Sequence, residues 1–237
     1  MKKLFVLTLG LIAFSFLQAQ INDPNAVKVD VNNFHAINVS NAFNVYISQG
    51  NEDAVAISAS EEKYRQDIKV EVENGVLKIY YDKKNFLRSL SGDKMKLKAY
   101  ISFKNINKLT ASGACDVFIE GSIKADELTL SMSGASDLKG KIEVNKLKVD
   151  LSGASDVSIG GKATQLTIEA SGASDFKGYD LVTDFCNANA SGASGIQITV
   201  NKELSAQASG ASSVHYKGEG LIRDIKTSGA SNVSRRS

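Results

Sequence analysis

The tetrapeptide Ser-Gly-Ala-x recurs seven times in the second half of this chain, starting at Ser112, Ser133, Ser152, Ser171, Ser191, Ser209 and Ser228, at intervals of 21, 19, 19, 20, 18 and 19 residues. Repetition at such a period marks a stacked-repeat architecture. Apolar residues alternate before each motif, as in Leu128-x-Leu130-x-Met132 and Leu147-x-Val149-x-Leu151, and resume after it, as in Val157-x-Ile159. Alternation of period two belongs to strands. A unit of about nineteen residues cannot bury its own apolar face, so neighbours must stack and share one interior. The pattern never shifts toward 3.6, which excludes a helical solenoid, and the leucine-rich consensus is missing. What remains is an all-β, single-stranded parallel β-helix, one coil per repeat. It is expected to be right-handed, as parallel crossovers almost always are. The motif then reads as a corner, with Gly for the bend, Ala for a crowded stack and Ser to satisfy backbone groups.

Column positions are legible within this reading. The strand before the motif carries Leu-Leu-Met, Leu-Val-Leu and Leu-Ile-Ala, then thins to Cys186-x-Ala188-x-Ala190 and Leu204-x-Ala206-x-Ala208. Phe176, Ile196, Val214 and Tyr216 on the facing strand are available to fill the space. The two cysteines, Cys115 and Cys186, lie about four repeats apart, or roughly 19 Å at about 4.8 Å per coil. A bridge needs Cα atoms within about 7 Å, so two buried free thiols are expected.

Residues 1–19 carry Lys2 and Lys3, an apolar run from Leu4 to Leu17, and Gln18-Ala19 before Gln20. This is a secretory signal peptide, with no Cys near its end to carry a lipid. Export to the periplasm, the cell surface or the medium follows. Losing the leader lowers the 28 basic residues to 26, equal to the 26 acids. A neutral chain lacks the electrostatic footprint of a nucleic-acid binder, and no later stretch is long and apolar enough to span a bilayer as a helix. Residues 20–237 read as one domain. Residues 110–237 form the repeats, and about 27–109 form irregular capping coils, where Phe34, Ile37, Val39, Val45 and Ile47 alternate without the motif. Asn74-Gly75 there is a two-residue hairpin signal, and Ser60 is placed to cap a short helical turn before Gln66. Little sequence follows Asn232-Val233, so that end of the stack is expected to be open to pairing with another chain, including a second copy.

Phe34-x-x-Ile37-x-Val39, then Phe43-x-Val45-x-Ile47-x-Gln49-Gly50, then Asn74-Gly75-x-Leu77-x-Ile79 and serial SGAS-Asp coils resemble the head GIN domain family of auto-transporter adhesins over about residues 27–233. The resemblance implies a right-handed β-helix, an exported or surface location in Gram-negative bacteria, and adhesion. It brings no catalytic residues. One departure is expected to matter: the segment after Gly220 is too short for the membrane barrel that an auto-transporter needs.

Candidate chemistry is sparse. Asp116, Asp137, Asp156 and Asp175 follow successive motifs and should form an outer column, continued by Gly195, Ser213 and Asn232. Such a column could face a ligand or hold a hard cation such as calcium; the plainer reading is that Asp, Asn, Ser and Gly are interchangeable turn residues. No lysine or arginine is evident at matching phase. His35 and His215 have no partner spacing for a transition metal, and no nucleophile elbow is present. Residues 82–94 form the longest non-alternating stretch of the early half, and its Phe86, Leu87 and Leu90 suit either a partner contact or a lid on the core. The reading is therefore a non-enzymatic exported β-helix that presents a surface to a glycan or an envelope protein. A carbohydrate-active enzyme using the acidic column and a self-associating envelope component are the alternatives.

Overall fold

A computed structural model describes residues 23–82 and 95–236. The described residues are almost entirely β, with seventeen strands and one helical turn. The strands are β1 (Val27–Val29), β2 (Ala36–Asn41), β3 (Phe43–Gln49), β4 (Ala54–Ser58), β5 (Ile68–Glu73), β6 (Val76–Tyr81), β7 (Leu97–Phe103), β8 (Lys108–Gly113), β9 (Asp116–Glu120), β10 (Ile123–Met132), β11 (Asp137–Leu151), β12 (Asp156–Ala170), β13 (Asp175–Ala190), β14 (Gly195–Ala208), β15 (Ser213–Lys217), β16 (Leu221–Thr227) and β17 (Asn232–Arg235). They wind into a β-solenoid of about seven turns with a nearly closed, barrel-like part at the N-terminal end.

Pairing through the repeats is parallel and in register, β10 to β11, β11 to β12, β12 to β13 and β13 to β14. Each middle coil is one continuous strand of fourteen to sixteen residues. The ladder follows the chain round the second bend with local slips of register, and only the SGA corner interrupts it. Identical positions do form columns. Leu130, Val149, Ile168, Ala188 and Ala206 are one buried column, and Val117, Leu138, Val157, Phe176, Ile196 and Val214 face it. Where the first thins to alanine the second thickens, and the Phe176 ring takes the space that a side chain on Gly178 would need. Both cysteines are buried and free.

The corner explains its own composition. Each middle residue has a positive φ, between +72° and +92° from Gly113 to Gly229. From Ala135 to Ala211 each following Ala N–H donates to the carbonyl of the previous corner glycine at 2.7 Å. The glycines therefore stack with their Cα atoms against the preceding carbonyls. A Cβ on Gly172, Gly192, Gly210 or Gly229 would sit 2.5 to 2.9 Å from that oxygen. The fourth residue is the staple: Ser174, Ser194 and Ser212 are buried, and each donates its hydroxyl 2.8 Å to the carbonyl three residues earlier. Cys115 fills this place in the first SGA copy, its Sγ 3.4 Å from Ser112 O.

One further corner lies hidden in the early segment. Ser40 pairs with Ser112 and Asn41 with Gly113, so Ser40-Asn41-Ala42 is an eighth corner, and Asn41 stands at φ 85° where glycine stands elsewhere. Asn41 begins the column, and its side chain accepts from the Tyr81 N–H at 3.0 Å. Around this coil β2 pairs with β6 and β8, and β3 with β7 and β9, all parallel. Antiparallel pairs then close the end, β5 with β6 and β4 with both β7 and β1. The β5–β6 turn is the expected one, with Asn74 and Gly75 both at positive φ. The helical turn α1 (Glu62–Arg65) also forms, but its N-cap is Glu61 rather than Ser60, and no side chain caps it. Tyr64 of α1 is buried in the core, so packing holds the turn instead.

The N-terminal edge is clasped by Asp23. Its carboxylate accepts from Lys98 Nζ and Tyr100 Oη, both at 3.0 Å. Burial pushes this carboxyl up, but the hydrogen bonds from Lys98, Asn25 and Tyr100 outweigh it and hold the group below the usual aspartate range. The same burial, with the Asp23 contact, pushes the Tyr100 phenol up to about 12.

Candidate functional site: an axial groove beside the corner ridge

An open groove of about 860 Å³ runs along the outside of the solenoid, just before the corners. Its wall is one outward position repeated on every coil, two residues before each motif serine: Thr110, Ser131, Asp150, Glu169, Asn189, Gln207 and Lys226. The corner serines form the opposite wall, and buried Met132, Leu151, Ala170, Ala190 and Ala208 lie beneath. Six steps at about 4.8 Å give a trough roughly 29 Å long, with a hydrogen-bonding side chain on each step. Lys148 holds Asp150 at 3.2 Å, and Lys226 holds Asp224 at 2.7 Å. The Asn189 Oδ1 atom is enclosed in this row without a protein partner.

The predicted acidic column exists but lies on the other side of the corner ridge. Asp116, Asp137, Asp156 and Asp175 are in register on adjacent coils, preceded by Asn44 and followed by Gly195, Ser213 and Asn232. All four side chains are half-buried. The corner amides are taken by inter-coil carbonyls, for example Asp156 N–H to Ser136 O at 3.2 Å, so these carboxylates are not spent on turn amides of their own coils. The column does have a cation at matching phase, contrary to the expectation from the sequence. Lys139 and Lys177 stand two residues further along the same face, and Lys177 Nζ reaches Asp156 at 2.7 Å. That hydrogen bond raises the Lys177 ammonium, with Asp175 and Asp137 adding at longer range. The spacing was readable; that a side chain two residues along one coil crosses to the carboxylate of the coil below was not.

Among the described residues, no group of three or more His, Cys, Asp and Glu side chains converges as a metal site would. The aspartates run in single file. His215 bonds Ser234 Oγ at 2.9 Å and lies 3.2 Å from Arg236; burial, then the Arg236 charge, lowers its pKa. His35 packs its ring over Gly75. Phe86, Leu87 and Leu90 lie outside the described residues. The two thiols are unreactive by position, since burial pushes both up. Among the described residues, no helix is long and apolar enough to cross a membrane.

The family described as "Putative auto-transporter adhesin, head GIN domain" matches residues 33–220. The chain belongs to this family. No curated protein matches the sequence significantly. Solved structures share the fold at low identity. A "putative adhesin" from Bacteroides fragilis is 21% identical with a TM-score of 0.79, over 89% of this chain and 96% of that one. A "putative lipid binding protein" from Parabacteroides distasonis is 17% identical with a TM-score of 0.67, over 91% and 98%. A "putative adhesin" from Parabacteroides merdae is 18% identical with a TM-score of 0.65, over 90% and 95%. At such identities the likeness speaks for the solenoid, while residues at the groove must be argued from this head GIN domain itself.

Proposed function

We propose that this head GIN domain is an exported, non-enzymatic binding module whose axial groove holds an extended glycan of an envelope or host surface. The carrying observation is the groove of about 860 Å³ with one outward polar side chain per coil. A polymer laid along the axis meets a hydrogen-bonding group about every 4.8 Å, close to the length of one pyranose unit. Opposed charges and amides along the wall suit neutral or zwitterionic sugars better than a polyanion. An acyl chain fits less well, because the apolar residues lie beneath a polar rim and are buried. The adhesin names of the family and of two structural relatives agree with a binding role.

Catalysis is not part of this proposal. Asp150 and Glu169 occupy neighbouring rungs of the groove wall, near the separation of about 5 Å that a retaining glycosidase uses. Glu169 is exposed, however, and Asp150 is engaged by Lys148, so neither is enclosed as a general acid is. A glycan array followed by calorimetry on the best polysaccharide tests the reading. Replacing Glu169, Asn189 and Gln207 together by Ala should weaken binding by at least about tenfold, at roughly 1 kcal/mol for each lost hydrogen bond. Replacing Asp137, Asp156 and Asp175, across the ridge, should leave it unchanged. Binding that follows the aspartates instead would refute the groove, and release of reducing sugar would refute the non-enzymatic reading.

A further inference from the structure

The two ends of the solenoid differ in a way the groove does not require. At the N-terminal end β2 is covered by β6 and β5, and β3 by β7, β4 and β1. At the C-terminal end β16 bonds only to β14, and β17 only to β15, so among the described residues each leaves a row of backbone N–H and C=O groups unpaired. The interior columns stop there too. Ile222 succeeds Leu204 and Ile225 succeeds Ala206, but where their predecessors are buried, Ile222 is 49% exposed and Ile225 37%. Leu221 beside them is 71% exposed. An open strand edge with an apolar cross-section is a pairing surface.

We propose that two copies of this chain join at their C-terminal coils about a two-fold axis, β16 antiparallel to β16 of the other copy. Three features of the edge select a second copy as the occupant. The exposed cross-section spans both β16 and β17, so a single foreign strand covers half of it, whereas another last coil has the same outline. The strand is self-complementary. A two-fold axis between Arg223 and Asp224 sets Arg223, which also bonds Glu203 at 2.6 Å, against the other copy's Asp224, which also pairs with its own Lys226 at 2.7 Å, twice, and Ile222 against the other copy's Ile225; the cross-axis pairs thus join two existing ion pairs into one row of alternating charge. A register slip makes this possible: Ile222 pairs with Leu204 and Asp224 with Ser205, so Arg223 is an extra residue and both isoleucines point into the core despite being three apart. Finally, a two-fold contact uses the same edge of both copies, so it closes at two and does not grow into a fibre. The basic residues at and just past the end of β17 do not obstruct it, because Arg235 folds back to Gly218 O at 2.6 Å and Arg236 to His215.

Light scattering after gel filtration, with small-angle X-ray scattering, tests this on the exported chain. The expected result is a dimer with about twice the monomer's longest dimension. Asp224→Arg places like charges across the axis and should weaken association by at least about tenfold. The exchange Arg223→Asp with Asp224→Arg should restore it. Circular dichroism and melting of each variant show whether it is folded, and Leu221→Lys, exposed at the same edge, provides a second disruptive variant should Asp224→Arg not fold. A folded chain that stays monomeric at high concentration, a side-by-side dimer in scattering, or a dimer indifferent to these substitutions would overturn the proposal. None of these outcomes bears on what the groove binds.

Discussion

Gly172→Ala asks whether the stack of corner glycines, rather than their dihedral angle alone, holds neighbouring coils together. Gly172 sits at φ +74°, and an L-residue in the left-handed region costs about 1–2 kcal/mol. Gly121 stands at φ +80° with open space around its Cα, so Gly121→Ala incurs that cost and no other. At Gly172 the added methyl would lie 2.5 Å from Gly153 O, and the two rungs must part. Parting them stretches the 2.7 Å bond from Ala173 N–H to the same oxygen, and spoiling a bond of this kind costs about 1–3 kcal/mol. The expected totals are about 2–5 kcal/mol at Gly172 and about 1–2 at Gly121. At about 2–4 °C per kcal/mol for a chain of this size, Tm should fall by about 10 °C in the first and about 4 °C in the second. Gly229→Ala should fall between them, since its Cβ would be 2.9 Å from Gly210 O in the last coil, where the corner can yield. Equal falls for Gly172→Ala and Gly121→Ala, measured by circular dichroism, would refute the stacking argument and leave the dihedral angle as the whole effect.

Ile168→Asp puts an unpaired carboxylate at a site with no exposure in the middle of the interior column, and the chain should fail to fold; a normal thermal melt would defeat that. Ser174→Ala removes the 2.8 Å staple to Ser171 O and should cost about 1 kcal/mol, while Ser174→Cys should cost less, because Cys115 already serves in that place; a denaturant series ranks the two. The Asp23 clasp sets a pH dependence. A carboxyl lowered in the folded state contributes stability above its unfolded value of about 3.9 and loses it as pH falls through the lower folded value. Hydrogen exchange at β1 and β4 should therefore accelerate below about pH 4 in the wild type, whereas Asp23→Asn should be fast there at every pH. His215 has the same sense, its lowered value meaning that β17 loosens as pH falls below about 6.5, which fluorescence of a probe near Ser234 would report.

Legibility in the sequence followed the strength of the repeat. The strands, columns, buried thiols and Asp register could be read because each motif copy sits in the same apolar context, and in-register stacking turns sequence period into spatial adjacency. The corner at Ser40 escaped notice because Asn41 replaces glycine, which only the head of the column permits. The groove wall was present in the letters, since the position two before each motif serine is polar in all seven copies. Polarity alone, however, does not distinguish a concave wall from any solvated face. The Lys177 contact with Asp156 was hidden for a different reason: it joins consecutive coils diagonally.

Period, alternation and corner chemistry thus determined by themselves that this chain stacks into a β-solenoid, because a unit of about nineteen residues has no other way to remove its apolar face from water. Only the tertiary structure decided where that solenoid is concave, which carboxylates meet a lysine, and that antiparallel strands close one end while, among the described residues, the other ends on parallel β16 and β17. Curvature and end closure depend on how successive coils turn relative to one another, and a one-dimensional repeat records no angle.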